Sequence, residues 1–455
     1  MSSLTFAQEA TTEPQGDAAA GTDTTPAASD AAPAEAAPAQ STETAPAEAA
    51  ASADTAGAQM TAPAADMTTA VAQAPVADSA EATEALPVAG YDKGFFIQSG
   101  DGAFKLKIGA RIKTRFDFES IDPGEGDRKN TNSFSVPYAR LYFSGHLFDK
   151  KLTYLFNPGF GGGNMKLVLA FVNYEFVKNA LYLTFGQMKR PFSRNYLTSS
   201  GKRAFIDGPT GEFGNGVDLG LQFSNDFTKA EGLEWAIGLY NSAAATKPEF
   251  KASGTGTVDE EGNLDVSGKF SNAVEDFKPA LALRLGYNTG IKGYYPTDFE
   301  GGGPRFGIAL SAHTDFDAND SHNGMAYLST DLILKVHGFS LNGGVYMGFA
   351  GKAHDDGESQ YVWKDPEFSK LGAFAQLQFL IAGRFEPVFR YGMNNPDGDD
   401  NNTHELTLGF TIYIYGQNFK WENNFTTMLE DTIKENGDAE TLANLAFKSQ
   451  LQFLF

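Results

Sequence analysis

Between Phe104 and Glu119 the side chains fall into two rows of opposite chemistry, a pattern that narrows the possible folds more than any other in this chain. Phe104, Leu106, Ile108, Ala110, Ile112, Phe116 and Phe118 take every second position, with only Thr114 interrupting. Lys105, Lys107, Arg111, Lys113 and Arg115 share the other row with Gly109, Asp117 and Glu119. A helix would mix these rows, whereas a strand sends successive side chains to opposite faces, so the stretch predicts a strand with one apolar and one cationic face. A soluble sheet is able to hold one such strand. Recurrence of the design down to the last residue instead predicts an all-β fold, a transmembrane antiparallel β-barrel.

The recurrence is easy to follow. Pro137, Ala139, Leu141, Phe143, Gly145 and Leu147 alternate with Tyr138, Arg140, Tyr142, Ser144 and His146. Leu281, Leu283, Leu285 and Tyr287 lie opposite Arg284, Phe306, Ile308 and Leu310 opposite Arg305 and His313, and Phe385, Phe389 and Tyr391 opposite Arg384, Glu386 and Arg390. Counting all such segments predicts sixteen strands. No segment approaches the roughly 18 uninterrupted apolar residues that a membrane helix needs, and the mean hydropathy of -0.30 suits strands that alternate.

The connections alternate in length. Lys178-Asn179, His337-Gly338, Ala382-Gly383 and Gly416-Gln417 are short, while Gln187 to Gly214, Asn241 to Phe277, Ala350 to Ser369 and Glu430 to Thr441 are long. Outer-membrane barrels have short periplasmic turns and long external loops, which predicts an even strand number with both termini periplasmic. The turn from Asn288 to Gly303 is too long for this scheme. Phe447, Ser449, Leu451, Phe453 and Phe455 alternate to a terminal Phe. This resembles the sorting signal of bacterial outer-membrane barrels, which makes Phe453 and Phe455 the expected assembly signal for the barrel-assembly machinery.

The net charge of -22 is unevenly spread. Residues 1–90 contain 13 acidic side chains and no Lys or Arg. Ala, Pro, Thr, Ser and Glu dominate there, and frequent prolines with an apolar set made mostly of Ala cannot build a core. The expected organisation is therefore a disordered acidic periplasmic segment, 1–90, followed by an outer-membrane barrel, 91–455. A flexible segment of about 80 residues reaches roughly 50 Å, enough for a spacer. The acidic balance disfavours nucleic acid as a partner, because phosphate backbones reward clustered external cations.

Strong catalytic signals are missing. There is no Gly-x-Ser-x-Gly elbow, His-Glu-x-x-His or P-loop, and Ser144 and His146, two apart on a strand, lie about 7 Å from each other, beyond hydrogen-bond reach. With no Cys, disulfides and Cys-ligated metals are excluded. Asp315, Asp317, Asn319 and Asp320 approach a calcium-loop spacing but lack Gly at the sixth place and carry Ala326 at the twelfth. Asp355, Asp356 and Glu358, with Asp397, Asp399 and Asp400, fit solvated loops among lipopolysaccharide. No enzyme activity, cofactor or metal is expected.

The connection after the fifth strand holds Gly186-Gln187-Met188-Lys189-Arg190-Pro191-Phe192, then Arg194, Leu197-Thr198-Ser199-Ser200 and Lys202-Arg203, with no acidic residue between Glu175 and Asp207. This segment resembles the family of phosphate-selective porins O and P, whose members carry Gly-Gln-Phe-Lys-x-Pro-Phe followed by Leu-Thr-Ser-Ser. Gln187, Lys189, Pro191 and Phe192 match, whereas Met188 replaces the usual Phe and Ser193-Arg194-Asn195 replaces a stretch often acidic. Arg140-Leu141 with Phe148-Asp149-Lys150, and Glu386 to Tyr391, also look like family segments. The resemblance implies a 16-stranded, homotrimeric porin in outer-membrane lipid whose third external loop narrows the pore. Lys189, Arg190, Arg194, Lys202 and Arg203 are then the expected constriction. The family's phosphate-binding ladder does not align residue by residue.

Apart from the resemblance, cations facing a narrow low-dielectric channel attract small anions and lower the cost of stripping their hydration. Lys105, Lys107, Arg111, Lys113, Arg115, Arg140, Arg284, Arg305, Arg384 and Arg390 are the expected pore-lining set. The competing role is pairing with Asp or Glu on neighbouring strands, which Glu386 beside Arg384 and Arg390 fits. The expected function is passive diffusion of small hydrophilic solutes with an anion preference. The alternative is a structural or adhesive barrel tethered toward the wall by its N-terminal segment.

Overall fold

The computed structural model describes residues 88–455 apart from 164, 215, 242–248, 254–266, 272–278, 292, 317–324, 351–366, 397–401 and 434–438. The acidic residues at 317–320, 355–358 and 397–400 and the segment 1–87 thus lie outside the described residues. The strands are β1 (Ala89–Tyr91), β2 (Phe95–Gln98), β3 (Lys105–Ile121), β4 (Lys129–Leu147), β5 (Asp149–Gly159), β6 (Lys166–Val177), β7 (Leu181–Lys189), β8 (Val217–Ser224), β9 (Gly232–Asn241) and β10 (Glu249–Ser253). They continue as β11 (Ser267–Ser271), β12 (Pro279–Asn288), β13 (Arg305–Asp315), β14 (Met325–Val336), β15 (Phe339–Ala350), β16 (Glu367–Phe379), β17 (Phe385–Pro396), β18 (Thr403–Tyr415), β19 (Phe419–Ile433) and β20 (Ala439–Leu454). One short helix, α1 (Arg194–Leu197), sits between β7 and β8.

Each strand from β3 to β9 and from β12 to β20 pairs antiparallel with its neighbour, β9 pairs directly with β12, and β20 pairs with β3. The result is a closed barrel of 16 strands, as the alternation predicts. Closure leaves no open ladder within the wall, the condition that lipid imposes on a sheet. The small β10–β11 hairpin belongs to the connection between β9 and β12.

Burial is inverted relative to a water-soluble core. On β12, Leu281, Leu283, Leu285 and Tyr287 are exposed on the outer surface while Ala280, Ala282 and Arg284 are buried inside. On β13, Phe306, Ile308 and Leu310 face out and Ser311 and His313 face in. A soluble chain rarely bears so continuous an apolar girdle; a bilayer requires it. Aromatic rings gather at one rim, where Phe419 stacks on Phe453 at 4.6 Å and Phe104 meets Phe148 at 5.2 Å.

Turn chemistry sets that rim. His337 (φ 48) and Gly338 (φ 88) join Val336 to its cross-strand partner Phe339, two left-handed residues whose twist matches the flanking strands. The connection 289–304, at the same end, departs from this economy. Its Ile291, Tyr294, Thr297 and Asp298 are all buried. The β1–β2 hairpin also lies here, with β2 continuing along β3 where β20 stops: Ile108 pairs with Phe95, and Arg111 with Leu454.

Candidate functional site

The connection 190–216 leaves β7 and runs inside the barrel, where the inner wall supplies hydrogen-bond partners along its length. Ser199 Oγ accepts from Arg111 Nη1 at 3.2 Å, and the Ser200 carbonyl from Lys113 Nζ at 3.1 Å. The Gly201, Arg203 and Ala204 carbonyls accept from Gln452 Nε2 (3.0 Å), Lys420 Nζ (2.7 Å) and Thr411 Oγ1 (3.0 Å). Arg390 donates to the carbonyls of Asp207 and Gly208, both at 3.0 Å. Thr210 N–H reaches Glu405 at 2.6 Å. Next, Gly211 (φ 88) lies so close to Gly372 that a Cβ on Gly372 would stand 2.0 Å from the Gly211 carbonyl oxygen. Glycine at both positions lets two backbones touch.

At its start the loop is fixed by ion pairs. Arg190 Nη1 bonds Asp315 at 2.7 Å. Ser193 caps α1 and shares a 2.8 Å hydrogen bond with the Tyr346 hydroxyl. Arg194 pairs with Asp331 (2.9 Å) and Glu234 (3.4 Å), and Arg284 pairs with the same two carboxylates at 2.7 and 3.7 Å. All four side chains are buried. Two guanidiniums sharing two carboxylates satisfy one another away from water, which an isolated charge could not.

The lumen is thereby divided. On one side Arg111, Lys113, Arg140, Lys189, Arg203 and Lys420 form a group within electrostatic reach, with Glu422, which pairs with Lys420 at 2.9 Å, and Glu212 among the nearby acids. Arg111, Lys113 and Arg140 lie over the ring of Tyr138 at 6.0, 4.8 and 4.6 Å, and Lys189 lies over Tyr196 at 4.8 Å. Aromatic faces stabilise cations without neutralising them. On the other side Arg190, Arg194 and Arg284 are paired with acids as above, Arg305 with Asp298 and Glu300, and Arg390 with Glu405 at 2.6 Å.

The remaining expected residues scatter. Lys105 lies over Phe96 at 4.4 Å and Lys107 faces Asp92 at 3.9 Å, both beside the β1–β2 hairpin at the rim. Arg115 bonds Asp117 at 2.9 Å. Two expectations need correction. Arg384 lies exposed in the turn before β17 and not on the inner wall, because Phe379 ends β16 and the chain is already reversing. Glu386 does not pair with Arg384 or Arg390; it accepts from Thr297 Oγ1 (3.1 Å), Gln378 Nε2 (2.8 Å) and the Tyr413 hydroxyl, since Glu405 has taken Arg390. Asp315, the described member of the calcium-like loop, is held by Arg190.

Lys202 stands apart from the other loop cations. It is half-exposed, and among the described residues no carboxylate lies within ion-pair distance of it. Its ammonium lies 5.7 Å from the centroid of the Tyr295 ring. Burial pushes its ammonium down to about 8, and Lys93, Arg111 and Lys229 push in the same direction.

A family model matches the chain over residues 106–322. It is that of phosphate-selective porin O and P. The porin resemblance read from Gln187, Lys189, Pro191 and Phe192 is upheld by that match. An uncharacterized protein of Aquifex aeolicus is 23% identical over 388 residues, covering 77% of this chain and 87% of that protein. Among solved structures, an anion-selective porin from Comamonas acidovorans is similar at TM-score 0.48 and 11% identity, covering 77% of this chain and 99% of the porin. The outer membrane channel DcaP of Acinetobacter baumannii is similar at TM-score 0.47 and 13% identity, covering 78% and 99%.

Side chains whose partners the sequence did not reveal complete the lumen. Asp331 and Lys335 were visible as the inward row of β14, but their partners come from strands distant in sequence. Glu234 and Tyr294 gave no local signal beyond the unusual length of the connection 289–304.

Proposed function

We propose that this porin-family barrel is an outer-membrane channel through which small hydrophilic solutes diffuse, with anions preferred. The observation that carries the reading is the crowding of Arg111, Lys113, Arg140, Lys189 and Arg203 on one side of the lumen, with Lys202 beside it. Excess positive potential in a narrow low-dielectric passage concentrates anions, and several dispersed sites still permit release. Lys202, half-exposed and away from any described carboxylate, is the loop cation a passing solute meets. A channel role leaves no task for catalysis. Homotrimeric assembly, with the rim of short turns toward the periplasm, is part of the same reading, and phosphate is its narrowest version.

Reversal potential in a salt gradient tests it. The wild-type channel is expected to favour anions, and Lys202→Glu to shift the potential toward cations. Raising the pH through about 8 should weaken the wild-type preference, since an ammonium pushed down is charged below that value and neutral above it. A wild-type channel that prefers cations overturns the anion reading; a protein that never conducts overturns the channel. Block of chloride current by phosphate, at concentrations where sulfate has no effect, separates phosphate from anions in general.

A further inference from the structure

The connection 289–304 belongs to the end of the barrel where turns are short, yet it folds into the lumen and meets the loop that descends from the opposite end. Its fixation is extensive. The Tyr294 hydroxyl donates to Glu234 at 2.6 Å and accepts from Arg284 Nε at 3.1 Å, while Arg194 lies 4.2 Å over its ring. Thr198 Oγ1 of the loop reaches the Tyr294 carbonyl at 2.8 Å. Farther along, the Thr297 hydroxyl contacts Glu386 and Tyr413, and its carbonyl accepts from Lys335 Nζ at 3.0 Å. Asp298 accepts from Gly338 N–H at 2.8 Å and pairs with Arg305.

So many buried polar contacts are not needed to reverse a strand; His337-Gly338 does that with two residues. They hold a segment in a fixed position inside the lumen. Between the buried Tyr294 and the buried Thr297, Tyr295 is left half-exposed, between Lys335 at 4.3 Å and Lys202 of the loop at 5.7 Å. Lys202 is half-exposed as well. The loop and the connection therefore present their accessible side chains to each other.

We propose that the connection 289–304 is a second jaw of the constriction, so that permeating solutes pass the Lys202–Tyr295 contact and are selected by elements entering from both ends of the barrel. Tyr295 is then a specificity-determining residue. At 5.7 Å from the ring centroid, near the outer limit of such contacts, the Lys202 ammonium is held loosely enough for the contact to part as a solute passes. The proposal rests on the channel reading but not on the sign of its selectivity.

The absence of native Cys makes the test clean. Tyr295→Cys and Lys202→Cys are treated with an anionic methanethiosulfonate during single-channel recording from the full chain. Wild type, and Lys178→Cys in the exposed turn between β6 and β7, serve as controls. Both jaw variants should lose most of their current in discrete steps on modification, while both controls stay unchanged. A Tyr295→Cys channel that is modified by mass yet conducts as before overturns the proposal, even where Lys202→Cys responds. Should Tyr295→Cys not assemble, Tyr295→Ala substitutes for it: raised conductance supports the second jaw and unchanged conductance overturns it. A wild-type barrel that never conducts instead defeats the channel reading itself.

Discussion

Asp331→Ala should free the inner loop and turn a steady channel into a wider, noisier one. Asp331 is the carboxylate shared by Arg194 of the loop and Arg284 of the wall, and it also accepts from the Arg194 backbone N–H at 3.2 Å. Removing it leaves two buried guanidiniums to compete for Glu234, at 3.4 and 3.7 Å. Breaking a buried pair by deleting one partner costs about 3–5 kcal/mol, because the remaining charge keeps its desolvation penalty. The barrel wall has its own hydrogen-bond ladder and should survive, so the loss falls on the loop. Larger mean conductance is expected, with fluctuations absent from wild type and trypsin cleavage at Arg194 or Arg203, both buried in the intact protein. Unchanged conductance together with full trypsin resistance would show that the wall donors to residues 199–208 hold the loop unaided.

Deleting Phe455 should abolish most assembly, whereas removing residues 1–87 should leave it near wild type. The two cuts differ in what they take from the seam. Phe455 N–H donates to the Ala110 carbonyl at 3.0 Å and the Ala110 N–H returns a bond to Phe455 at 2.9 Å, the last pair in the ladder that closes β20 on β3. Its ring also approaches Phe95 of β2 at 6.5 Å. Each hydrogen bond contributes roughly 1 kcal/mol in water, and leaving such groups unpaired in hydrocarbon costs several-fold more. Every seam contact named above lies between Phe95 and Phe455. The heat-modifiable folded fraction recovered from outer membranes measures the difference. Equal recovery of both truncations would remove Phe455 from any part in closure.

Period-two alternation determined the barrel. Because it places every other side chain on the lipid face, the rows of β3, β4, β12 and β13 reveal which side chains face in and which face out without knowledge of any partner, and short connections such as His337-Gly338 mark where strands reverse. The inward path of the loop was legible only through the family resemblance around Gln187 to Phe192. What tertiary structure decided is the use of each cation. Lys113 and Arg390 are alike in sequence, inward residues on amphipathic strands, and both donate to loop carbonyls, yet Lys113 does so beside other cations while Arg390 is also ion-paired to Glu405. Arg384 looked equivalent to both and lies in a turn. The difference depends on the few ångströms that separate a guanidinium from a carboxylate on another strand, and on where the loop backbone passes. Strand periodicity fixes the face a charge occupies; the partner it meets there is set by register and barrel closure, through contacts between residues as distant as Arg111 and Ser199 or Arg194 and Asp331.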